Sequence, residues 1–130
     1  VELPEVAVPL DGAEHTFTFD AWFTWMDPLD HANHPAYVDW CDEAISRVLH
    51  KAGLVPLSLR PVAERVRFKA GVLGMDAVTV TLKLVGRTTA GDAVVDADIR
   101  RPSGLCAQAR LVRRLVEGPD PLVLALQGAV

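Results

Sequence analysis

The chain has 130 residues, half of them hydrophobic, and a formal net charge of -4. A domain of this length buries enough surface to fold without disulfides or metals, and its hydrophobic content excludes a disordered chain. The acidic balance gives no electrostatic reason to expect nucleic acid as a partner. We therefore expect a single domain over residues 1–130, with a lead-in arm at 1–14 and a C-terminal tail at 117–130.

Cysteine content and hydropathy exclude several further classes of protein. Cys41 and Cys106 are too few for a disulfide framework, and no Cys/His cluster has zinc-ligand spacing. We therefore expect neither a metal nor a cofactor. No apolar run is long enough to span a bilayer, and no signal-peptide pattern is visible. These features predict a cytoplasmic protein that does not associate with membranes.

The first half of the chain predicts a strand, a loop and a helix. Apolar and polar side chains alternate over residues 15–25, and this period of two is typical of a strand. Residues 26–34 are dense in polar and turn-forming types and predict a loop. Pro35 suits a first helical turn, apolar residues then recur at helical spacing as far as Leu49, and Gly53 is a natural stop.

The second half predicts strands and then a short helix at 122–127. The alternating patterns that predict strands lie at 62–69, 77–89, 93–101 and 105–116. One helix followed by these strands predicts an α+β domain, in which a five-stranded antiparallel sheet buries one face on the long helix. The edge strands of such a sheet have unpaired backbone hydrogen-bonding groups, and we expect oligomerisation to pair or bury them.

Eight residues at the loop and the helix start hold two carboxylates, two imidazoles and a carboxamide, from Asp27, Asp30, His31, His34 and Asn33. Acid, base and hydrogen-bonding groups at this density are typical of a functional loop. The loop also leads into a helix N-terminus, whose free N–H groups and positive dipole end stabilise an oxyanion. Each residue alone has an ordinary structural explanation, and a metal held by Asp30, His31 and His34 is a weaker alternative.

The same segment resembles the active-site stretch of hotdog-fold thioesterases, in particular the 4-hydroxybenzoyl-CoA thioesterase group. The pattern of that family is roughly Asp-x-x-Gly-His-Val-Asn-Asn-x-x-Tyr-x-x-Trp, with acidic residues soon after. The residues that match it in this chain are Asp27, His31, Asn33, Tyr37 and Trp40, followed by Asp42 and Glu43. The order of the predicted elements also agrees over residues 15–116, although only 27–47 is specific.

The resemblance implies a hotdog fold and an acyl-CoA thioesterase. Such an enzyme hydrolyses an aryl- or fatty-acyl thioester to the free acid and coenzyme A, and acyl carrier protein is the alternative carrier of the acyl group. The resemblance also implies a homo-oligomer in which two sheets pair edge to edge, with the active site at the dimer interface. A tetramer is the alternative assembly.

The family pattern implies a role for four residues of the loop and the helix start. Asp27 is the catalytic carboxylate, which attacks the thioester carbonyl or activates a water for that attack. The backbone N–H of His34 polarises the carbonyl oxygen. Asn33 and His31 shape the loop or orient the water.

Four further residues are expected to bind the substrate. Tyr37 belongs to the core or the pocket wall, and Asp42 or Glu43 would face the acyl pocket. The family has glycine at the position of Asp30, so this chain carries a second carboxylate close to Asp27. Either carboxylate could then be the working group, because repulsion between like charges raises the pKa of one of them.

Two other functions stay open. One is a non-catalytic hotdog protein that binds an acyl thioester, which would not need a carboxylate beside the carbonyl. The other is a hydratase or dehydratase of enoyl thioesters, whose differently spaced catalytic residues this sequence lacks. Five arginines could bind the phosphates of coenzyme A, although charges on an exposed sheet edge are also ordinary. They are Arg100, Arg101, Arg110, Arg113 and Arg114.

Overall fold

The computed structural model describes residues 2–29 and 32–128, which form an antiparallel sheet with one long helix on one face. The strands are β1 (Val8–Pro9), β2 (Glu14–Asp20), β3 (Leu59–Phe68), β4 (Ala77–Arg87), β5 (Ala93–Arg101) and β6 (Gly104–Leu115). The helices are α1 (His34–Lys51) and α2 (Asp120–Leu126), with 3-10 turns at Phe23–Trp25 and Pro56–Ser58. The predicted α+β class is confirmed, and the arm adds a sixth, two-residue strand to the five expected.

The strand order across the sheet is β1-β4-β5-β6-β3, and β2 pairs with β4 beside β1. Every pair is antiparallel. In the described part of the chain β3 pairs with β6 alone. The other side of this ten-residue strand is therefore a free edge, which presents unpaired backbone N–H and C=O groups.

The first predicted strand was expected to reach Trp25, but it ends at Asp20. The next residue, Ala21, is fully buried and still donates its N–H to the carbonyl of Asp76 at 2.9 Å, and the chain then enters the 3-10 turn at Phe23–Trp25. Trp22 then turns outward and is exposed. The alternation of aromatic residues continues through this turn, so the pattern alone does not reveal the end of the strand.

The core lies between α1 and the sheet. One face of α1 is buried, through Ala36, Tyr37, Trp40, Cys41, Ala44, Ile45, Val48 and Leu49. The sheet covers it with inward-facing residues that include Val80, Leu82, Leu84, Val95, Ile99 and Leu111. The tail forms the short helix predicted for it, and α2 closes one end of the core with Leu122 and Leu126.

Arg113 on β6 carries a charge inside this core. Its Nε and Nη2 donate to the two carboxylate oxygens of Asp42 on α1, at 2.8 and 3.2 Å. Its Nη1 donates to Glu64 on β3 at 3.1 Å and to the carbonyls of Ala63 and Val112. Burial alone would lower the pKa of Arg113, but the two carboxylates outweigh it and raise that pKa. The cation stays charged and joins the helix to the edge strand.

Both cysteines are free and buried. Within residues 2–29 and 32–128, no group of His, Cys, Asp and Glu side chains is arranged to hold a metal ion. None of the helices in these ranges is long and apolar enough to cross a bilayer.

Candidate active site

The loop between β2 and α1 is anchored at its base by backbone contacts. An isolated antiparallel bridge pairs Met26 with Ala32, and the N–H of Asn33 donates to the carbonyl of Trp25 at 2.8 Å. The N–H of Ala32 donates to the carbonyl of Val72 at 2.8 Å, which ties the loop to the turn after β3. Residues 27–29 therefore follow a base that is fixed to the rest of the fold.

Asp27 directly follows the bridge residue Met26 and is exposed. Its Oδ1 accepts the N–H of Leu29 at 2.9 Å, a local turn that aspartate side chains favour. Asp30 and His31 lie outside the described residues. Their roles, and the choice between Asp27 and Asp30 as the working carboxylate, therefore stay predictions.

Helix α1 begins with a side-chain cap. Asn33 is the N-cap residue, and its Oδ1 accepts the N–H of Ala36 at 3.0 Å. Pro35 lies in the first turn, where its missing N–H leaves no helical bond unmade. The N–H of His34 has no acceptor within a helix at this position, and no described residue accepts a hydrogen bond from it. It is therefore free to bind a ligand at the positive end of the helix dipole.

Asp27, Asn33, His34 and Tyr37 line one cleft of about 430 Å³. Three predicted catalytic residues and one predicted substrate-binding residue thus meet in the folded chain. The end of β3 and the turn after it form the opposite wall, with Phe68, Lys69, Ala70 and Gly71.

A series of aromatic rings leads from this cleft into the core. His34 stacks on Phe68 with ring centroids 4.3 Å apart, and Phe68 meets Tyr37 nearly perpendicularly at 4.9 Å. Tyr37 meets Trp40 at 5.3 Å, and Trp40 meets Trp25 at 5.4 Å. Each such pair contributes roughly 0.5–1.5 kcal/mol beyond the burial of its area. The rings that line the cleft are therefore held by the core behind them.

The Tyr37 hydroxyl oxygen accepts the N–H of Val72 at 3.2 Å. Burial raises the pKa of Tyr37, and the hydrogen bond from Val72 lowers it by less, so the phenol keeps its proton at neutral pH. That proton remains available for donation, because the hydroxyl acts as an acceptor toward Val72. Arg101 donates to the carbonyl of Gly71 at 2.8 Å and holds the neighbouring part of the wall.

Asp42 and Glu43 do not line this cleft. The Asp42 carboxylate binds the buried Arg113, and Glu43 forms an exposed ion pair with Arg47 one helical turn further on, at 3.0 Å. Both carboxylates are thus engaged within the chain, and a contact of either with an acyl group stays a prediction.

The sequence does not predict the wall opposite Asp27. The alternation of β3 places Phe68 on the inward face, but its position across from the helix N-terminus depends on the strand order. The available signal was an aromatic residue followed by Lys69 where the alternating pattern ends. Without the sheet topology, that signal does not distinguish a cleft wall from an ordinary core position.

No protein-family model and no curated protein sequence matches the chain. Solved structures do match it. A 1,4-dihydroxy-2-naphthoyl-CoA thioesterase from Synechocystis is 19% identical with a TM-score of 0.72, over 88% of this chain and 96% of that one. A Thermus thermophilus thioesterase complexed with coenzyme A and Zn is 18% identical with a TM-score of 0.74, over 87% and 91%. A gentisyl-coenzyme A thioesterase is 18% identical with a TM-score of 0.68, over 85% and 98%. The hotdog fold is therefore confirmed.

Proposed function

We propose that this protein is a cytoplasmic thioesterase that hydrolyses an acyl thioester of coenzyme A to the free acid and the thiol. The observation that carries the proposal is the cleft that Asp27 shares with His34, whose N–H has no acceptor among the described residues. Acyl transfer needs a nucleophile or base and a donor for the oxyanion, and these two groups supply them. The fold that the chain shares with several thioesterases also supports thioester hydrolysis.

In the proposed mechanism, the thioester carbonyl oxygen points to the N–H of His34. The carboxylate of Asp27 attacks the carbonyl carbon and expels the thiolate, and water then hydrolyses the resulting anhydride. Alternatively, Asp27 removes a proton from a water molecule as that water attacks. Negative charge develops on the carbonyl oxygen in both routes, and the helix N-terminus stabilises it. Loss of one such donor typically lowers kcat about 100- to 1000-fold.

An aryl acyl group suits this cleft better than a long alkyl chain. His34 and Phe68 present stacked rings, and Tyr37 adds a third ring with a hydroxyl proton to donate. Flat rings pack against such a wall in stacked or edge-on geometry. Two of the similar structures are a 1,4-dihydroxy-2-naphthoyl-CoA thioesterase and a gentisyl-coenzyme A thioesterase, and both names specify an aryl acyl group.

We further propose that the working unit is a homodimer joined through β3. The free edge of β3 is long, Val62 on this strand is exposed, and so are Val55 and Leu57 in the segment that leads into it. A long edge with apolar neighbours readily pairs with another strand. The cleft lies at the end of the same strand, so a second copy would help to enclose it. Light scattering during size-exclusion chromatography measures the assembly, and a monomer would contradict the proposal.

Release of free thiol from a panel of thioesters tests the activity. Suitable substrates are benzoyl-, 4-hydroxybenzoyl- and octanoyl-CoA. We expect Asp27→Asn to lower kcat roughly 100-fold or more, because it removes the charge that attacks or accepts the proton. The matched control is Asp20→Asn, an exposed aspartate on β2 that does not line the cleft. Asp30→Asn, assayed in parallel, identifies which of the two carboxylates works.

Several outcomes would refute the proposal. Absence of turnover with every substrate contradicts hydrolysis, and binding without turnover would indicate a non-catalytic thioester-binding protein. Loss of enoyl absorbance from crotonyl-CoA without thiol release would indicate a hydratase. If Asp27→Asn and Asp30→Asn both keep the parent activity, the mechanism is wrong even though the reaction is right.

A further inference from the structure

Carboxylates already neutralise several arginines that the sequence offers as phosphate ligands. Arg113 is buried between acidic partners, Arg110 binds Asp96 through two hydrogen bonds, and Arg114 binds Asp92 at 2.7 Å. Coenzyme A carries a pyrophosphate and a 3′-phosphate, and a protein of net charge -4 needs a local group of cations to bind them. These cations must come from elsewhere on the surface.

Three exposed cations at the end of the edge strand are not neutralised in this way. Arg65 and Arg67 lie on β3, and Lys69 follows it, with its N–H still donated to Cys106 on β6 at 2.7 Å. Within residues 2–29 and 32–128, none of the three has a carboxylate at ion-pair distance. Alternate residues of a strand lie about 6.6 Å apart, so the row spans about 13 Å.

The row connects two concave surfaces. Lys69 lines the cleft that contains Asp27. Arg65 and Arg67 line a groove of about 240 Å³ on the sheet face that α1 does not cover, together with Asp96, Asp98, Gln108 and Arg110. Asp96 pairs with Arg110 at 2.7 Å and Asp98 with Arg100 at 3.7 Å, so the charge of both aspartates is partly compensated. Along the row, Lys69 and then Arg67 lie nearest to the cleft.

We propose that Lys69 and Arg67 bind phosphate groups of coenzyme A, with the nucleotide lying across the end of β3 and the pantetheine arm leading into the cleft. The inference rests on the proposed function, since it assigns a place to the carrier of the thioester. A row of cations with room for more than one phosphate favours coenzyme A over the single phosphate of a carrier-bound phosphopantetheine. Dimerisation through β3 would leave the site accessible, because it uses backbone groups while side chains stand perpendicular to the sheet.

Isothermal titration calorimetry with coenzyme A, 4′-phosphopantetheine and pantetheine tests the site directly. We expect the parent protein to bind coenzyme A roughly five- to tenfold more tightly than pantetheine, given two exposed charge contacts. The double variant Arg67→Gln, Lys69→Gln should lose this preference. The control Lys83→Gln, an exposed cation on β4 outside both concave surfaces, should keep it. Salt should weaken the binding of coenzyme A and leave that of pantetheine unchanged.

Three results would overturn the assignment. They are equal binding of coenzyme A and pantetheine by the parent, a preference that survives in the double variant, and binding of 4′-phosphopantetheine as tight as that of coenzyme A. The last result would assign the cations to a single phosphate and not to the nucleotide.

Failure of the phosphate site and failure of the proposed function are distinguishable, because the binding measurement needs no turnover. Hydrolysis of a benzoyl N-acetylcysteamine thioester, which has no phosphate, measures the chemistry alone in the parent protein, and the control Lys83→Gln should leave it unchanged. Binding of coenzyme A through Arg67 and Lys69 without thiol release would contradict the hydrolase and support the site. Thiol release without a preference for coenzyme A would support the hydrolase and contradict the phosphate site.

Discussion

Replacement of Arg113 by methionine should lower the free energy of unfolding, because it removes a buried cation that joins α1 to β3 and β6. The side chain makes five hydrogen bonds, to Asp42, Glu64 and two backbone carbonyls, and is almost completely buried. Removal of one partner from a buried ion pair costs about 3–5 kcal/mol. Asp42 and Glu64 keep side-chain exposures of 32% and 37%, so water replaces part of what they lose. We therefore expect the lower end, about 3 kcal/mol.

Urea denaturation followed by circular dichroism, at one fixed protein concentration, measures this loss. With a slope of about 1.5 kcal/mol per molar, the midpoint should fall by about 2 M. The control is Arg110→Met, because the pair of Arg110 with Asp96 is exposed at the surface and should contribute less than about 1 kcal/mol.

Equal midpoint shifts for Arg113→Met and Arg110→Met would refute the reasoning. If Arg113→Met does not fold, a milder substitution tests the same reasoning. Arg113→Lys keeps the charge but loses the planar fork, so it should fold and be intermediate in stability. Asp42→Asn should also lower the free energy of unfolding less in the R113M background than in the parent, since Asp42 and Arg113 form one network. Additive effects would contradict that coupling.

Two further predictions concern α1. Asn33→Ala should lower the free energy of unfolding by about 1 kcal/mol, and also kcat, because the helix start that presents the His34 N–H loses its cap. Asn33→Ser should restore both in thermal unfolding and thiol-release assays, and an equal loss in both variants would argue against a capping role. Cys41 should resist iodoacetamide at pH 8, because burial raises its pKa to about 12. Mass spectrometry of the native protein measures the alkylation, and a rate equal to that of a free thiol would contradict this prediction.

Local patterns predict most of the secondary structure in this chain. Alternation over residues 93–101 gives the bounds of β5, and the apolar spacing between Pro35 and Gly53 gives nearly all of α1. These patterns succeed because each element has one buried face. The end of β2 is the exception, since the aromatic alternation continues into the 3-10 turn at Phe23–Trp25.

The candidate site likewise has one part that a local sequence pattern predicts and one part that it does not. Asp27, Asn33 and His34 are close in sequence, so a local pattern brings them together, and the structure adds the cap and the shared cleft. Phe68 and Lys69 come from another part of the chain, and only the strand order places them opposite. Likewise, the partner of Asp42 is Arg113 on the last strand, a contact that no periodicity in the sequence signals.

The aromatic series behind the cleft gives the protein a built-in optical probe. The sequence has three tryptophans and a single tyrosine, and that tyrosine, Tyr37, lies 5.3 Å from Trp40 and lines the cleft. Light absorbed by Tyr37 should therefore be emitted mainly by Trp40, whose ring also meets Trp25. A ligand that packs against Phe68 or Tyr37 changes the surroundings of this donor. Occupancy of the cleft should thus be readable in the intrinsic emission spectrum, without a label.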